Sequence, residues 1–246
     1  MAPPALTTVR ARTLFTPLDT GGRADTVTRR LAQAIRLGLL LDGERLPAES
    51  QLAGQLGVST VTLREALATL RTMGLVETRR GRGGGSFVRA PDDPGRLERP
   101  LRLLSMHELT DIGDHRAAIA GTAARLAAER ALPADVTMLR EHAERLRGAA
   151  ALTERRRADA RLHIEIAATA QSPRLTREEM DLWSEIGDLV WLPMEGMDVA
   201  PAARDHDLLI DAIGARAPER AREIAERHVA AETGRLLDLR LGLHQR

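Results

Sequence analysis

Asp159 and His163 stand four residues apart in a stretch of helical periodicity, so both side chains project from one face, one turn apart. His206 and His228 fall in two later segments, interleaved with the apolar stripes Leu209, Ile210, Ile213 and Ile224, Ala225, Ala231. Three imidazoles and a carboxylate form a donor set suited to Zn²⁺, Ni²⁺, Fe²⁺ or Mn²⁺, with positions left for water or a ligand. The same spacing also describes a surface Asp–His hydrogen bond and two histidines at a core edge. If an ion is held, three uses are open: a seat for a small ligand, activation of water in a metal-dependent hydrolase or other metalloenzyme, or a purely structural staple. Glu165 is too close in sequence to His163 to face the same way, so no general base is evident. His107, His115, His142 and His244 share no such pattern.

A second constellation lies near the front of the chain. Ser59, Thr60 and Thr62 open a predicted helix, where short hydroxyls and free N–H groups can meet phosphate. Arg64, one turn further in, reaches a base edge or a phosphate. Arg80-Gly81-Arg82 begins a glycine-rich turn between two short alternating segments, a basic tip able to enter a minor groove or follow a backbone. No Lys-Ser/Thr follows these glycines, which argues against a nucleotide-binding loop.

These residues need particular elements to carry them. Val27, Leu31, Ile35 and Leu39 recur every four residues and predict a first amphipathic helix. A short helix from about Ala48 to Leu56 ends at Gly57, and Ser59 caps the next, about Thr60 to Met73, which buries Leu63, Ala66, Leu67 and Leu70. Strands at 75–79 and 86–89 complete a winged helix-turn-helix with three helices and a two-stranded wing. Beyond it, helices are expected near 97–105, 107–130, 134–149, 153–171, 174–191, 201–215 and 218–240. Pro133, Pro173, Pro201 and Pro218 sit at helix starts. The fold class is therefore mainly α: the winged unit followed by an antiparallel bundle of six or seven helices. The expected organisation is a mobile tail at 1–24, the winged unit at 25–90, a linker at 91–96, the helical domain at 97–240 and a tail at 241–246.

Composition agrees with that division. Residues 1–90 carry 13 Arg against 7 acidic residues, a net +6, while residues 91–246 carry a net −5. A basic front on an acidic rear fits a nucleic-acid module joined to one that does not bind nucleic acid. There is no cysteine, which excludes disulfide and thiolate chemistry. No run of 18 apolar residues and no signal-type segment is present, so a cytoplasmic protein without a membrane partner is expected.

Residues 27–89 resemble the winged-helix domain of the GntR family of bacterial regulators. The resemblance is carried by Gly43-Glu44-Arg45-Leu46-Pro47-Ala48-Glu49, Leu52-Ala53, Leu56-Gly57-Val58-Ser59, Leu63-Arg64-Glu65-Ala66-Leu67, Gly74-Leu75-Val76 and the glycine wing. It implies operator contacts at Ser59, Thr62, Arg64, Arg80 and Gly81. Ser50 and Thr60 stand where the family often has Arg. Residues 100–240 resemble the FCD effector domain of the FadR-like branch, through Asp159-x3-His163, Arg204-Asp205-His206-Asp207 and Ala221-x6-His228. That resemblance implies a metal pocket of Asp159, His163, His206 and His228. It also implies that Arg116 faces the same cavity, and that the effector is a small carboxylate. Ala120 replaces a Glu usual four residues after the Arg. The expected protein is a homodimeric repressor that binds double-stranded operator DNA and is not an enzyme.

Overall fold

The computed structural model describes residues 24–81, 83–89, 101, 103–191 and 200–244. The expected tail up to residue 23, the linker at 91–96 and Arg82 lie outside these residues. So does most of the helix expected at 97–105. The chain divides into two compact units, Met1–Asp92 and Asp93–Arg246. No helix among the described residues is long and apolar enough to cross a membrane.

The first unit contains α1 (Ala24–Arg36), α2 (Glu49–Leu56), α3 (Thr60–Thr72), β1 (Val76–Arg79) and β2 (Gly85–Val88). Helix α1 buries Val27, Leu31 and Ile35 against α3. It stops at Arg36 rather than running through Leu39, because the chain turns at Gly38 with φ 66°; Leu39 is still buried, but from the turn. Gly57 takes the left-handed conformation and ends α2. Ser59 then caps α3, its Oγ accepting from the Thr62 N–H at 3.0 Å. The two strands pair antiparallel, Val76 opposite Val88 and Arg79 opposite Gly85. Gly84 cannot be replaced in the turn between them, since a Cβ there would lie 2.5 Å from the Arg79 carbonyl oxygen. Arg45 reaches across to the wing and donates to the Gly84 carbonyl at 2.6 Å.

The second unit contains α4 (Met106–Arg130), α5 (Pro133–Gly148), α6 (Leu152–Thr169), α7 (Pro173–Val190), α8 (Ala200–Gly214) and α9 (Pro218–His244). Proline opens α5, α7 and α9, where its missing N–H costs nothing. Helix α9 runs to His244, so the expected C-terminal tail at 241–246 is helical through most of its length. The reason is visible in its last turns, where Leu236 is buried and Arg240 donates to the Leu104 carbonyl at 2.9 Å. The core between the helices is aliphatic, with Leu139, Leu162, Leu209, Ile213 and Ile224 among its most buried members.

Helix α4 makes its longest contact with α9. Small residues permit it: a Cβ at Gly113 would fall 2.5 Å from Thr233 Cγ2, and one at Gly121 would fall 2.7 Å from Glu226 Cγ. Arg116 lies between these two glycines on α4 and is thereby brought against α9. Gly113→Ala gains about 1 kcal/mol of helix propensity but meets a β-branched side chain pinned by the Thr233 hydroxyl, which donates to the Val229 carbonyl at 2.9 Å. Overpacking of this kind costs about 1–3 kcal/mol. The expected outcome is a lower melting temperature for Gly113→Ala by circular dichroism. An increase would show that the helices have room to spare.

Candidate functional site

In the second unit, Asp159 and His163 from α6, His206 from α8 and His228 from α9 converge and are all buried. Ligand atoms of the three imidazoles lie within 4.8 Å of one another. His206 Nε2 is 3.3 Å from His163 Nε2, and Asp159 Oδ1 is 3.4 Å from His206 Nε2 and 3.7 Å from His163 Nε2. Two atoms each about 2.0 Å from a tetrahedral ion stand roughly 3.3 Å apart. The spacing of Asp159 Oδ1, His163 Nε2 and His206 Nε2 therefore fits a single small divalent ion, with His228 near enough to join them. Asp159 fits it further: Oδ2 accepts from the Trp191 indole N–H at 2.9 Å, while Oδ1 is buried and has no hydrogen-bond partner among the described residues. A ligating carboxylate oriented by a second hydrogen bond is the usual arrangement around a metal.

A second charged layer lies behind the histidines. Arg116, only 3% exposed, donates through Nη2 to Glu232 Oε2 at 2.8 Å. The other oxygen of Glu232 is 3.5 Å from His228 Nε2, and His228 Nδ1 is 3.6 Å from Asp205 Oδ2. The Trp183 ring lies 5.0 Å from the His163 ring, carries the Arg116 guanidinium 5.3 Å from its centroid, and donates its N–H to Glu179 Oε1 at 2.9 Å. Glu179 Oε2 and Arg116 Nη1 are buried without a hydrogen-bond partner among the described residues.

Burial and charge set the protonation of this cluster in opposing directions. Burial pulls His163 down to about 3, with the charge on His228 adding to it, and holds His206 well below the usual imidazole range. Burial also acts to lower His228, but Glu232, Asp205 and Asp159 outweigh it and hold the imidazole at about 9. Burial raises Asp159 to about 7, assisted by the Glu232 charge, and raises Glu179 to about 7. Burial opposes ionisation of Glu232 as well, yet Arg116 and His228 keep its carboxyl well below its usual range. Burial thus favours the neutral ring at His163 and His206, while the carboxylates around His228 favour its imidazolium.

In the first unit, Ser59, Thr60, Arg64, Arg80 and Gly81 are exposed and Thr62 is half-buried. The Ser59 and Thr62 hydroxyls are 2.9 Å apart, so each is oriented by the other. Arg64 forms an exposed ion pair with Glu49 of α2 at 2.7 Å, which fixes where its guanidinium points. Val61, 63% exposed on the first turn of α3, stands beside them.

The sequence pattern did not single out Glu232, Glu179, Trp183, Trp191 or Val61. For Glu232 a signal was present: it lies four residues after His228, the same spacing that marks Asp159 and His163. The carboxylate absent at Ala120 is supplied to Arg116 from α9 instead.

Comparison with known proteins adds a second line. Residues 23–85 match the bacterial regulatory proteins of the gntR family, and residues 111–231 match the FCD domain. The chain is 43% identical over 226 residues to a protein of Mycobacterium gastri named as an HTH-type transcriptional regulator, RmpR; the match spans 90% of this chain and 82% of that protein. It is 32% identical over 222 residues to a protein of Escherichia coli K12 named for regulation of an L-lactate dehydrogenase operon, spanning 84% and 83%. Among solved structures, E. coli McbR/YncC shares the fold with a TM-score of 0.52 at 22% identity, over 88% of this chain and 97% of that one.

The Arg116–Glu232 pair makes a checkable statement about stability. Arg116→Met alone removes the hydrogen-bonded cation of the buried Glu232 carboxylate and leaves it only the more distant His228 at 3.5 Å, at a cost of up to about 3–5 kcal/mol. Adding Glu232→Met removes that carboxylate and is expected to restore part of the loss, His228 keeping Asp205 at 3.6 Å as its counter-charge. Urea unfolding of the wild type, both single variants and the double variant measures the coupling; losses that simply add would contradict a direct pair.

Proposed function

The chain belongs to the GntR family of bacterial regulatory proteins, with an FCD domain behind its DNA-binding head, and from that premise we propose that a small carboxylate bound at a metal-containing pocket controls its grip on operator DNA. It is a DNA-binding transcriptional regulator of the GntR/FCD type. In this reading it works as a repressor and as a homodimer in the cytoplasm, one winged head on each operator half-site.

The observation that carries the ligand half is the convergence of His163, His206 and His228, with Asp159 Oδ1 3.4 Å from His206 Nε2, buried and without a hydrogen-bond partner among the described residues. These four residues hold the divalent ion, which when bound supplies a Lewis-acidic seat for an anionic group. Trp191 fixes the orientation of Asp159, and Arg116 turns its free Nη1 toward the effector while Nη2 stays on Glu232. A relative named for an L-lactate dehydrogenase operon is consistent with a small carboxylate. Ligand occupancy controls DNA binding only if it favours one arrangement of the heads over another.

For the DNA half, Ser59, Thr60, Thr62 and Arg64 meet the major groove, Val61 packs on a thymine methyl, and Arg80, Gly81 and Arg82 carry the wing to the backbone or minor groove. Ser50 and Thr60 leave two cationic interactions of the family unmade, and the basic wing replaces them. Replacing Arg80 and Arg82 together by Ala is expected to weaken operator binding. It should also reduce the slope of log K against log salt by about 0.9 for each phosphate left unneutralised. An unchanged salt slope in fluorescence anisotropy would remove the wing from the interface.

Elemental analysis with native mass spectrometry tests the pocket. One divalent ion per chain and a dimeric mass are expected. His206→Ala and His228→Ala should each abolish the ion, and Trp191→Phe should weaken metal affinity about 10–100-fold without unfolding the chain. Metal retained in the histidine variants would overturn the site. Chelation that unfolds the helical unit but leaves the response to small acids intact would make the ion a staple only.

A further inference from the structure

The wing has a glycine turn at its tip and a third segment along its edge, and Arg45 joins the two. The residues before α2 pair with β2 on the side away from β1. The Gly43 N–H donates to the Val88 carbonyl at 3.0 Å, the Val88 N–H to the Glu44 carbonyl at 2.9 Å and the Leu46 N–H to the Ser86 carbonyl at 2.9 Å. Arg45 thereby stands opposite Phe87 with its backbone fixed. Its side chain runs on toward the tip. Nη2 donates to the Gly84 carbonyl at 2.6 Å, and a Cβ at Gly85 would lie 3.0 Å from Nε, so the guanidinium packs on the Gly85 backbone.

The turn that Arg45 grips is otherwise held weakly. The Gly84 N–H closes it on the Gly81 carbonyl at 2.8 Å. Gly81 and Gly83 take φ of 95° and 92°, a conformation that glycine enters and leaves freely. Gly84 in turn packs on the peptide between Arg79 and Arg80. A Cβ there would lie 2.5 Å from the Arg79 carbonyl oxygen and 3.2 Å from the Arg80 carbonyl carbon. Holding Gly84 therefore holds the backbone that carries Arg80, which is exposed. Arg79 has its own supports, Glu77 at 2.7 Å and the Phe87 ring at 4.3 Å.

Resting on the reading of the wing as a DNA contact, we propose that Arg45 is a positioning residue for DNA binding: it ties the Gly84 carbonyl to the sheet edge and so presents Arg80 to the duplex in a fixed place. Arg45 acts through Arg80 and not on the DNA itself. A turn already ordered in the free protein spares the cost of ordering it at binding. Without the tie the turn samples other shapes, and Arg80 meets its phosphate only part of the time.

A double-mutant cycle separates this role from a direct contact. The probe is a fluorescein-labelled duplex selected by the wild-type protein from a random-sequence library, read by anisotropy with the full-length chain. Arg45→Met should weaken binding about three- to tenfold, the worth of one hydrogen bond, but under about twofold in the Arg80→Ala background. The slope of log K against log salt should fall in the wild-type background only. A direct phosphate contact by Arg45 would instead remove about 0.9 from it in both. Trypsin reads the turn without DNA. Initial cleavage after Arg80 should be faster in Arg45→Met by about the same factor as the affinity loss, since cutting follows the open population. Arg45→Lys keeps the charge and one donor group, so intermediate values are expected; it carries the test if the Met variant does not fold. Equal losses in both backgrounds, no loss in the wild type, or unchanged cleavage would overturn the positioning role. If Arg80→Ala alone leaves binding unchanged, the reading of the wing itself fails, and this inference falls with it whatever the cleavage shows.

Discussion

Glu232 is one carboxylate answering two cations. Its Oε2 receives the Arg116 guanidinium at 2.8 Å and its Oε1 faces the His228 imidazole at 3.5 Å, all three side chains being buried. Charged groups can be taken out of water only if they are matched in this way. Removing Glu232 would leave two cations facing each other inside an aliphatic bundle, whereas removing either cation leaves the other to pair with it. The arrangement also links the imidazole of His228 on α9 to the guanidinium on α4, so the histidine cluster and Arg116 are parts of a single electrostatic unit.

That unit depends on backbone geometry more than on the polar residues themselves. Helices α4 and α9 approach closely because Gly113 and Gly121 present no side chain toward Thr233 and Glu226. A core poor in aromatics helps, since Leu, Ile and Ala permit short interhelical distances. The DNA-binding head follows a parallel logic with exposed groups: Ser59 and Thr62 orient one another, and Glu49 fixes Arg64. In both units, the side chains of the candidate sites are oriented by their neighbours, an arrangement that reduces the ordering cost of binding.

Much of this is legible in the sequence. The winged unit can be read almost residue by residue, because its caps and turns use residues with narrow conformational roles: Gly57, Ser59 and the glycines of the wing. The convergence of Asp159 and the three histidines can be read in part, since a four-residue spacing on a helix has a geometric meaning. Glu232 and Glu179 are harder. An acidic residue on an amphipathic helix looks the same in sequence whether it faces water or a buried guanidinium, and only the packing of α4, α7 and α9 distinguishes the two. Trp191 acts on Asp159 from 32 residues away, at the end of a different helix, a relation no local pattern encodes. The end of α1 at Arg36 is hidden because Leu39 continues the apolar period after the backbone has already turned.

The chain contains two tryptophans and no tyrosine. Both indoles belong to the pocket, one against His163 and the Arg116 guanidinium, the other bonded to Asp159. The molecule's tryptophan emission therefore originates beside the histidine cluster, with no tryptophan in the winged unit. Any change in the protonation or surroundings of His163, Arg116 or Asp159 would alter the polarity, hydrogen bonding and quenchers of these indoles, so the unlabelled protein carries its own optical probe of the cluster.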